Sequence, residues 1–124
     1  MNISEAVQES LVENLFILTC GPIPPNPAKL LGSESMRQFI EQVKGDFDQI
    51  LFDTPPILAV TDAQLMANQC DGTILILSSG NTDIDAAKRA KELLIAAKGK
   101  LLGAVLNKKK SKDSHYYYYY GHSN

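Results

Sequence analysis

All five tyrosines of this 124-residue chain stand in one uninterrupted run, Tyr116, Tyr117, Tyr118, Tyr119 and Tyr120. A core cannot readily bury five consecutive phenols, because each buried hydroxyl needs a hydrogen-bond partner. Lys108, Lys109, Lys110 and Lys112 precede the run, and Gly121, His122, Ser123 and Asn124 follow it. The composition predicts a solvated segment whose phenolic hydroxyls an enzyme can reach. The candidate chemistry is therefore that of an acceptor. His115 and His122 have no cysteine or acidic partners in a ligand-like spacing, so no metal site is assigned to them.

A second constellation lies mid-chain. Ile50, Leu51 and Phe52 lead into Asp53, and Thr54, Pro55 and Pro56 follow at once. An apolar strand that delivers a carboxylate to its carboxyl end, then a stiff loop, has the form of a Walker B element. There the aspartate holds the water shell of a Mg²⁺ ion beside nucleotide phosphates. An aspartate that only caps a turn after a strand is the simpler alternative. A Walker B element works with a phosphate-binding loop, and the 124 residues contain no GxxxxGKS or GxxxxGKT sequence. Gly99-Lys100 is followed by Leu101. The backbone cradle and lysine that would hold the β- and γ-phosphates are absent from these residues. Ser78 and Ser79 have no histidine base in view, which argues against a serine hydrolase.

The elements that must position these groups read as follows. Ser4 caps a short helix to about Leu11, and residues 15–19 form a strand. Four prolines between Gly21 and Pro27 exclude helix and central strand. Asn26 caps a helix with Pro27 at its first position. Gly32 and Ser33 break it and start another, whose apolar face is Met36, Phe39, Ile40 and Val43. Residues 49–52 form a strand, and a short helix begins at Thr61 and Asp62. Residues 72–78 are apolar without alternation, which predicts a strand covered on both faces. Thr82 and Asp85 suggest a capping box. Ala86, Ala90, Leu93, Leu94 and Ala97 form one stripe, Gly99 stops that helix, and residues 101–106 are the last strand. Strands alternating with helices predict an α/β fold with a mainly parallel sheet flanked by helices. Ligands of such sheets bind beyond the carboxyl ends of strands, where Asp53, Ser78, Ser79 and Asn107 fall.

The bulk numbers fit a single domain. Hydrophobic residues make up 44% and charged residues 21%, which sets a globular protein apart from a disordered or membrane-spanning one. A net charge of −2 gives no global field for nucleic acid or an anionic membrane. No signal peptide or membrane span is read, so membrane association would come through a partner. Cys20 and Cys70 read as reduced, semi-buried thiols of a cytoplasmic protein.

Four stretches together resemble a known family. They are Glu13-Asn14-Leu15 into residues 21–33, residues 47–56, Val60 to Ala63, and the terminal tyrosines. They resemble the cytoplasmic bacterial tyrosine kinases of capsular and exopolysaccharide biosynthesis, of the CpsD/CapB type. The resemblance covers essentially the whole chain and corresponds to the C-terminal half of the family domain. It implies a truncated P-loop NTPase-like fold, residues 1–107 being the C-terminal part of a deviant-Walker kinase domain and residues 108–124 a flexible basic, tyrosine-rich tail. The family's oligomerisation helix, Walker A loop and Walker A′ strand have no counterpart here. The resemblance therefore implies a truncated or split member, catalytically incomplete alone. Residue by residue, Asp53 matches the Mg-associated Walker B aspartate, and Asp62 an acidic position in the following loop. Asn107 stands where related ATPases contact the adenine. Tyr116 to Tyr120 match the autophosphorylated cluster. The implied cofactors are ATP and Mg²⁺. The implied partners are neighbouring kinase subunits, a membrane-spanning modulator of the CpsC/CapA type that recruits the protein to the inner face of the membrane, and a cognate tyrosine phosphatase. The other readings are a non-catalytic phosphoacceptor module phosphorylated in trans and half of a split kinase.

Overall fold

The computed structural model describes residues 3–110. The tyrosine run, Lys112 and both histidines lie outside the described residues.

The chain opens with α1 (Ile3–Ala6), then β1 (Gln8–Glu9) and β2 (Phe16–Ile17), which pair antiparallel. The expected first helix to Leu11 ends at Ala6 instead. Ser10 explains part of the change. Its hydroxyl accepts from the Val12 N–H at 3.0 Å and donates to the Val12 carbonyl at 3.1 Å, fixing a turn where the helix would continue. The strand expected over residues 15–19 shrinks to two residues.

The next two helices follow the sequence closely. In α2 (Pro27–Leu31), the Asn26 side chain accepts from the Lys29 N–H at 3.1 Å, and Pro27 opens the helix. In α3 (Glu34–Lys44), Ser33 accepts from the Met36 N–H at 3.2 Å. Of the expected apolar face, Ile40 and Val43 are buried while Met36 and Phe39 are half-buried. Phe47 meets Phe16 edge to face, with ring centroids 5.5 Å apart, and so holds the β1–β2 hairpin against the end of α3.

Residues 49–52, expected as a strand, form no ladder among the described residues. A strand exists only with a hydrogen-bonded neighbour, and none lies beside them. The following elements are α4 (Asp62–Gln69), β3 (Thr73–Ser78), α5 (Ile84–Ala96) and β4 (Leu101–Asn107). Strands β3 and β4 are parallel, in register from Ile74 opposite Gly103 to Ser78 opposite Asn107. Their connection through α5 is the βαβ unit that parallel pairing requires. The α/β class with a parallel pair is therefore present, although β3 and β4 make a sheet of only two strands among the described residues.

The core is mainly helical. Ile40 and Val43 of α3, Met66 and Ala67 of α4, and Ala90 and Leu94 of α5 are its buried apolar side chains. Two amides tie these helices together. Gln69 Nε2 donates to the Leu31 carbonyl at 2.8 Å, and Asn68 Nδ2 donates to the Ala97 carbonyl at 3.0 Å. The double covering expected for β3 is not found. Ile74 is 56% and Ile76 58% exposed, while Leu75 and Leu77 between them are half-buried. The apolar run without alternation was legible; the layer that would cover the Ile74 and Ile76 face is not among the described residues.

Both ends of α5 differ from the expected caps. Asp83 is the N-cap, and its carboxylate accepts from the Ala86 N–H. Thr82 is turned back, its Oγ1 accepting from the Ser78 N–H at 3.0 Å. Replacing Asp83 by Ala is expected to lower stability by about 1 kcal/mol, and Asp85→Ala by only a few tenths. Urea unfolding of the two variants measures the difference. At the other end, Lys98 takes the left-handed conformation, φ 60°. The Gly99 N–H donates to the Leu94 carbonyl at 2.9 Å and the Lys98 N–H to the Ile95 carbonyl at 3.0 Å, the two bonds of a Schellman motif. Gly99 is needed for space instead: a Cβ there would stand 2.8 Å from the Ala67 Cβ, where α4 and α5 approach.

Candidate functional site

Strands β3 and β4 end level with each other. At that end the Ser79 N–H donates to the Asn107 carbonyl at 2.9 Å, and the Asn81 and Thr82 N–H groups donate to the Ser78 carbonyl at 3.1 and 2.9 Å. Gly80, with φ 80°, makes this turn possible. The turn brings Asn81 and Thr82 to the rim of an open cleft of about 980 Å³. Phe52, Asp53, Thr54 and Pro55 also line this cleft. Its walls are apolar, with Leu75 and Leu77 of β3 and Ala90 and Leu94 of α5 among them. Asp53, Thr54, Asn81 and Thr82 are among its polar lining residues, and Asp48, Asp71 and Lys44 line it as well. Ligands of parallel sheets bind beyond the carboxyl ends of strands.

The expected site residues divide accordingly. Asp53 is exposed and lines the cleft. Asp62 does not line it; it is the first residue of α4, half-buried, with Thr61 as the N-cap. A carboxylate in that first turn is favoured by the helix dipole, which gives Asp62 a structural role independent of any ligand. Asn107 is exposed and also off the cleft lining, its Oδ1 accepting from the Lys108 N–H at 2.8 Å. Asp53, Asn81 and Thr82 all line the cleft, whereas Asp62 and Asn107 are not among its lining residues. Asn81 and Thr82 were not singled out as site residues. The signal was available, because they directly follow the apolar run 72–78, but Thr82 was read as a helix cap.

The fit to ATP and Mg²⁺ can be judged on these groups. Three carboxylates line the cleft, Asp48, Asp53 and Asp71, and an exposed one such as Asp53 suits a metal held mainly through water. Among the described residues no three His, Cys, Asp or Glu side chains cluster as metal ligands. No glycine-rich loop of these residues faces the cleft to wrap phosphates. The residues present fit one edge of a metal–phosphate site and do not fit a complete one, so no reaction step is derived through the nucleotide.

The two thiols differ from the expected pair. Cys20 is exposed and Cys70 half-buried, and neither forms a disulfide among the described residues. Burial, then the neighbouring Asp71 carboxylate, pushes the Cys70 thiol up from its ordinary value. Cys70 is expected to alkylate with iodoacetamide more slowly than Cys20 at pH 8, its rate still rising at higher pH. Mass spectrometry of the two cysteine peptides follows both rates.

The parallel β3–α5–β4 unit places the chain in the α/β class. Comparison with known proteins then gives the family. No protein-family model matches the sequence. The chain is 50% identical over 108 residues to tyrosine-protein kinase YwqD of Bacillus subtilis (strain 168), a match covering 87% of this chain and 46% of that protein. It is 38% identical over 107 residues to tyrosine-protein kinase CpsD of Streptococcus agalactiae serotype III (strain NEM316), covering 86% and 46%. Among solved structures, the chimerical protein CapA2B2 superposes with a TM-score of 0.82 at 35% identity, over 88% of this chain and 48% of that one. The BceF tyrosine kinase domain gives 0.76 at 34%, over 86% and 44%. Over most of its length this chain is related to the bacterial tyrosine kinases of the CpsD/CapB type, and its fold is that of the matching part of their kinase domains. It spans about half the length of the curated relatives it matches. Among the described residues no helix is long and apolar enough to cross a membrane.

Proposed function

We propose that this chain is part of a tyrosine-protein kinase of capsular or exopolysaccharide biosynthesis, residues 1–107 forming one wall of its nucleotide site and residues 108–124 carrying the phosphoacceptor tyrosines. The observation that carries the reading is the position of Asp53, on the cleft that opens at the carboxyl end of the parallel pair. In the family reaction the γ-phosphoryl group of MgATP passes to a tyrosine hydroxyl, and the protein acts mainly by positioning and electrostatics. Asp53 would hold the metal's water shell. Asp62, at the start of α4, and Asn107, at the end of β4, are lesser candidates for the acidic and adenine-side positions. Tyr116 to Tyr120 are the acceptors. The similarity to a chimera named CapA2B2 supports a membrane-spanning modulator of the CapA type as partner, and with it a cytoplasmic location beside the membrane. A tyrosine phosphatase would reset the acceptors.

The absence of a GxxxxGKS or GxxxxGKT loop from the 124 residues favours a second reading for the chain by itself, a phosphoacceptor module that a complete kinase modifies in trans. Calorimetric titration of the 124-residue chain with MgATP separates this from a self-sufficient enzyme. Binding is expected to be no tighter than the millimolar range. A sub-micromolar dissociation constant would mean that these residues build a phosphate site of their own.

A further inference from the structure

Strand β4 is an edge. Among the described residues it pairs only with β3, so its other side carries unpaired backbone groups. The Asn107 carbonyl accepts from the Ser79 N–H on the β3 side. Successive residues of a strand turn their backbone groups to alternate sides. Gly103 and Val105 therefore also face β3, and the N–H and C=O groups of Ala104 and Leu106 face outward. Every residue from Leu102 to Asn107 is exposed. A charge or a proline commonly blunts such an edge, and Leu101–Asn107 holds neither. Backbone donors and acceptors in this state call for another strand.

A second copy of β4 is one occupant to weigh, and charge argues against it. Antiparallel pairing about Ala104 would set Lys100 opposite Lys108 and Lys98 opposite Lys110, and like charges directly opposite are destabilising. The chain's own continuation has a complementary pattern. The chain bends at Lys108, whose φ of 57° is left-handed, and the Asn107 Oδ1 accepts from the Lys108 N–H at 2.8 Å. An L-residue enters that region mostly at turns. Lys108, Lys109, Lys110 and Lys112 all fall within residues 108–112, a length usual for a hairpin loop. The next seven residues, Asp113 to Tyr119, equal β4 in length and end in four tyrosines, a residue that favours strands.

We propose that the open edge of β4 is the docking site of the chain's own tyrosine segment: residues 113–119 return antiparallel to β4, with residues 108–112 as the connecting loop. Asn107 then stands opposite Asp113, Ala104 opposite Tyr116 and Gly103 opposite Tyr117. A Cβ added at Gly103 would meet nothing within 4 Å, so the space above it is open to the Tyr117 ring, the cross-strand aromatic cover that suits a strand glycine. Lys100 falls opposite Tyr120, where an ammonium over a ring is favourable. An edge strand also suits phenols, because the rings cover apolar neighbours such as Leu101 and Leu102 while the hydroxyls stay in water. A tyrosine paired in this way does not extend into a neighbouring kinase site, so the hairpin holds the acceptors back. That consequence rests on the functional reading above; the hairpin itself does not.

Amide hydrogen exchange, followed residue by residue, compares the full 124-residue chain with a variant in which Tyr116 to Tyr119 are replaced by glycine. The Ala104 and Leu106 amides are expected to exchange about tenfold more slowly in the unaltered chain, and the Gly103 and Val105 amides, which face β3, at the same rate in both. Ala104→Pro removes an outward N–H and leaves the β3 side its bonds; it should free the Leu106 amide as the glycine variant does. Equal rates at Ala104 and Leu106 in the unaltered and glycine chains overturn the hairpin. Slowing that grows with protein concentration assigns the edge to a second copy and overturns it as well. Phosphate acceptance from full-length Bacillus subtilis YwqD with MgATP is read separately, and Ala104→Pro should speed it by at least about threefold. Slowed exchange without phosphorylation keeps the hairpin and removes the acceptor reading; phosphorylation without slowed exchange does the reverse. Slowed exchange with phosphorylation unaltered by Ala104→Pro overturns the claim that the hairpin holds the acceptors back.

Discussion

Incubated alone with MgATP, the 124-residue chain is expected to incorporate no phosphate, whereas with a complete kinase of the YwqD kind it should gain phosphate on Tyr116 to Tyr120. Each preorganised electrostatic group that stabilises a transferring group contributes about 10² to 10³ in rate. These residues supply carboxylates to the cleft lining but neither a GxxxxGKS or GxxxxGKT phosphate cradle nor its lysine. Loss of several such groups places self-catalysis below detection. The acceptor half of the reaction is different in kind, since it asks only for a phenol that can enter another subunit's site. Phosphopeptide mass spectrometry after both incubations gives the outcome, with replacement of all five tyrosines by phenylalanine as the control that abolishes the signal. Phosphate found only on serine or threonine would remove the acceptor role, and robust self-phosphorylation would show that the catalytic groups are all present.

Legibility in the sequence tracked how local each determinant is. The starts of α2 and α3 were readable because Asn26 and Ser33 act within three residues of themselves. The β3–α5–β4 unit was readable because its apolar runs and helical stripe are each continuous. The cap of α5 was misread by one position, since Thr82 and Asp83 can both cap and only the bond from the Ser78 N–H to Thr82 decides between them. Gly99 does follow the end of α5 as expected, but Lys98 holds the left-handed conformation and Gly99 answers to Ala67, 32 positions earlier in the chain. Strand β1 carries no signal in the sequence, because Gln8 and Glu9 are polar and exposed, whereas β2 falls within the strand expected over residues 15–19. Residues 49–52 have the composition of a strand and lack a neighbour, which composition cannot supply. For the candidate site, the strand-then-proline pattern singles out Asp53, and Asp53 lines the cleft. That Asn81 and Thr82 also line the cleft depends on how β3 and α5 assemble, which no local pattern in the sequence carries.

The tyrosine run is also expected to act as a charge switch once modified. Each phosphotyrosine adds about 1.5 to 2 negative charges near neutral pH, so five add about 7 to 10. Four lysines, Lys108, Lys109, Lys110 and Lys112, precede the run, and full modification outweighs them and reverses the local sign. An unmodified acceptor segment can present a phenol to a neighbouring subunit's metal-binding, acidic site. A modified one meets repulsion from the Asp53 side of that site and should leave. The affinity of the chain for a complete kinase partner is therefore expected to fall with each added phosphate, by tenfold or more when all five are present. The loss should shrink at high salt, because exposed charges are screened over about 8 to 10 Å at physiological ionic strength. Replacement of the five tyrosines by phenylalanine should keep the unmodified affinity and abolish the dependence on phosphorylation. Surface binding measured on unmodified and fully phosphorylated chains, at two ionic strengths, decides it. Equal affinities would mean that the phosphates mark the chain without moving it, and that release from the partner is governed by something other than charge.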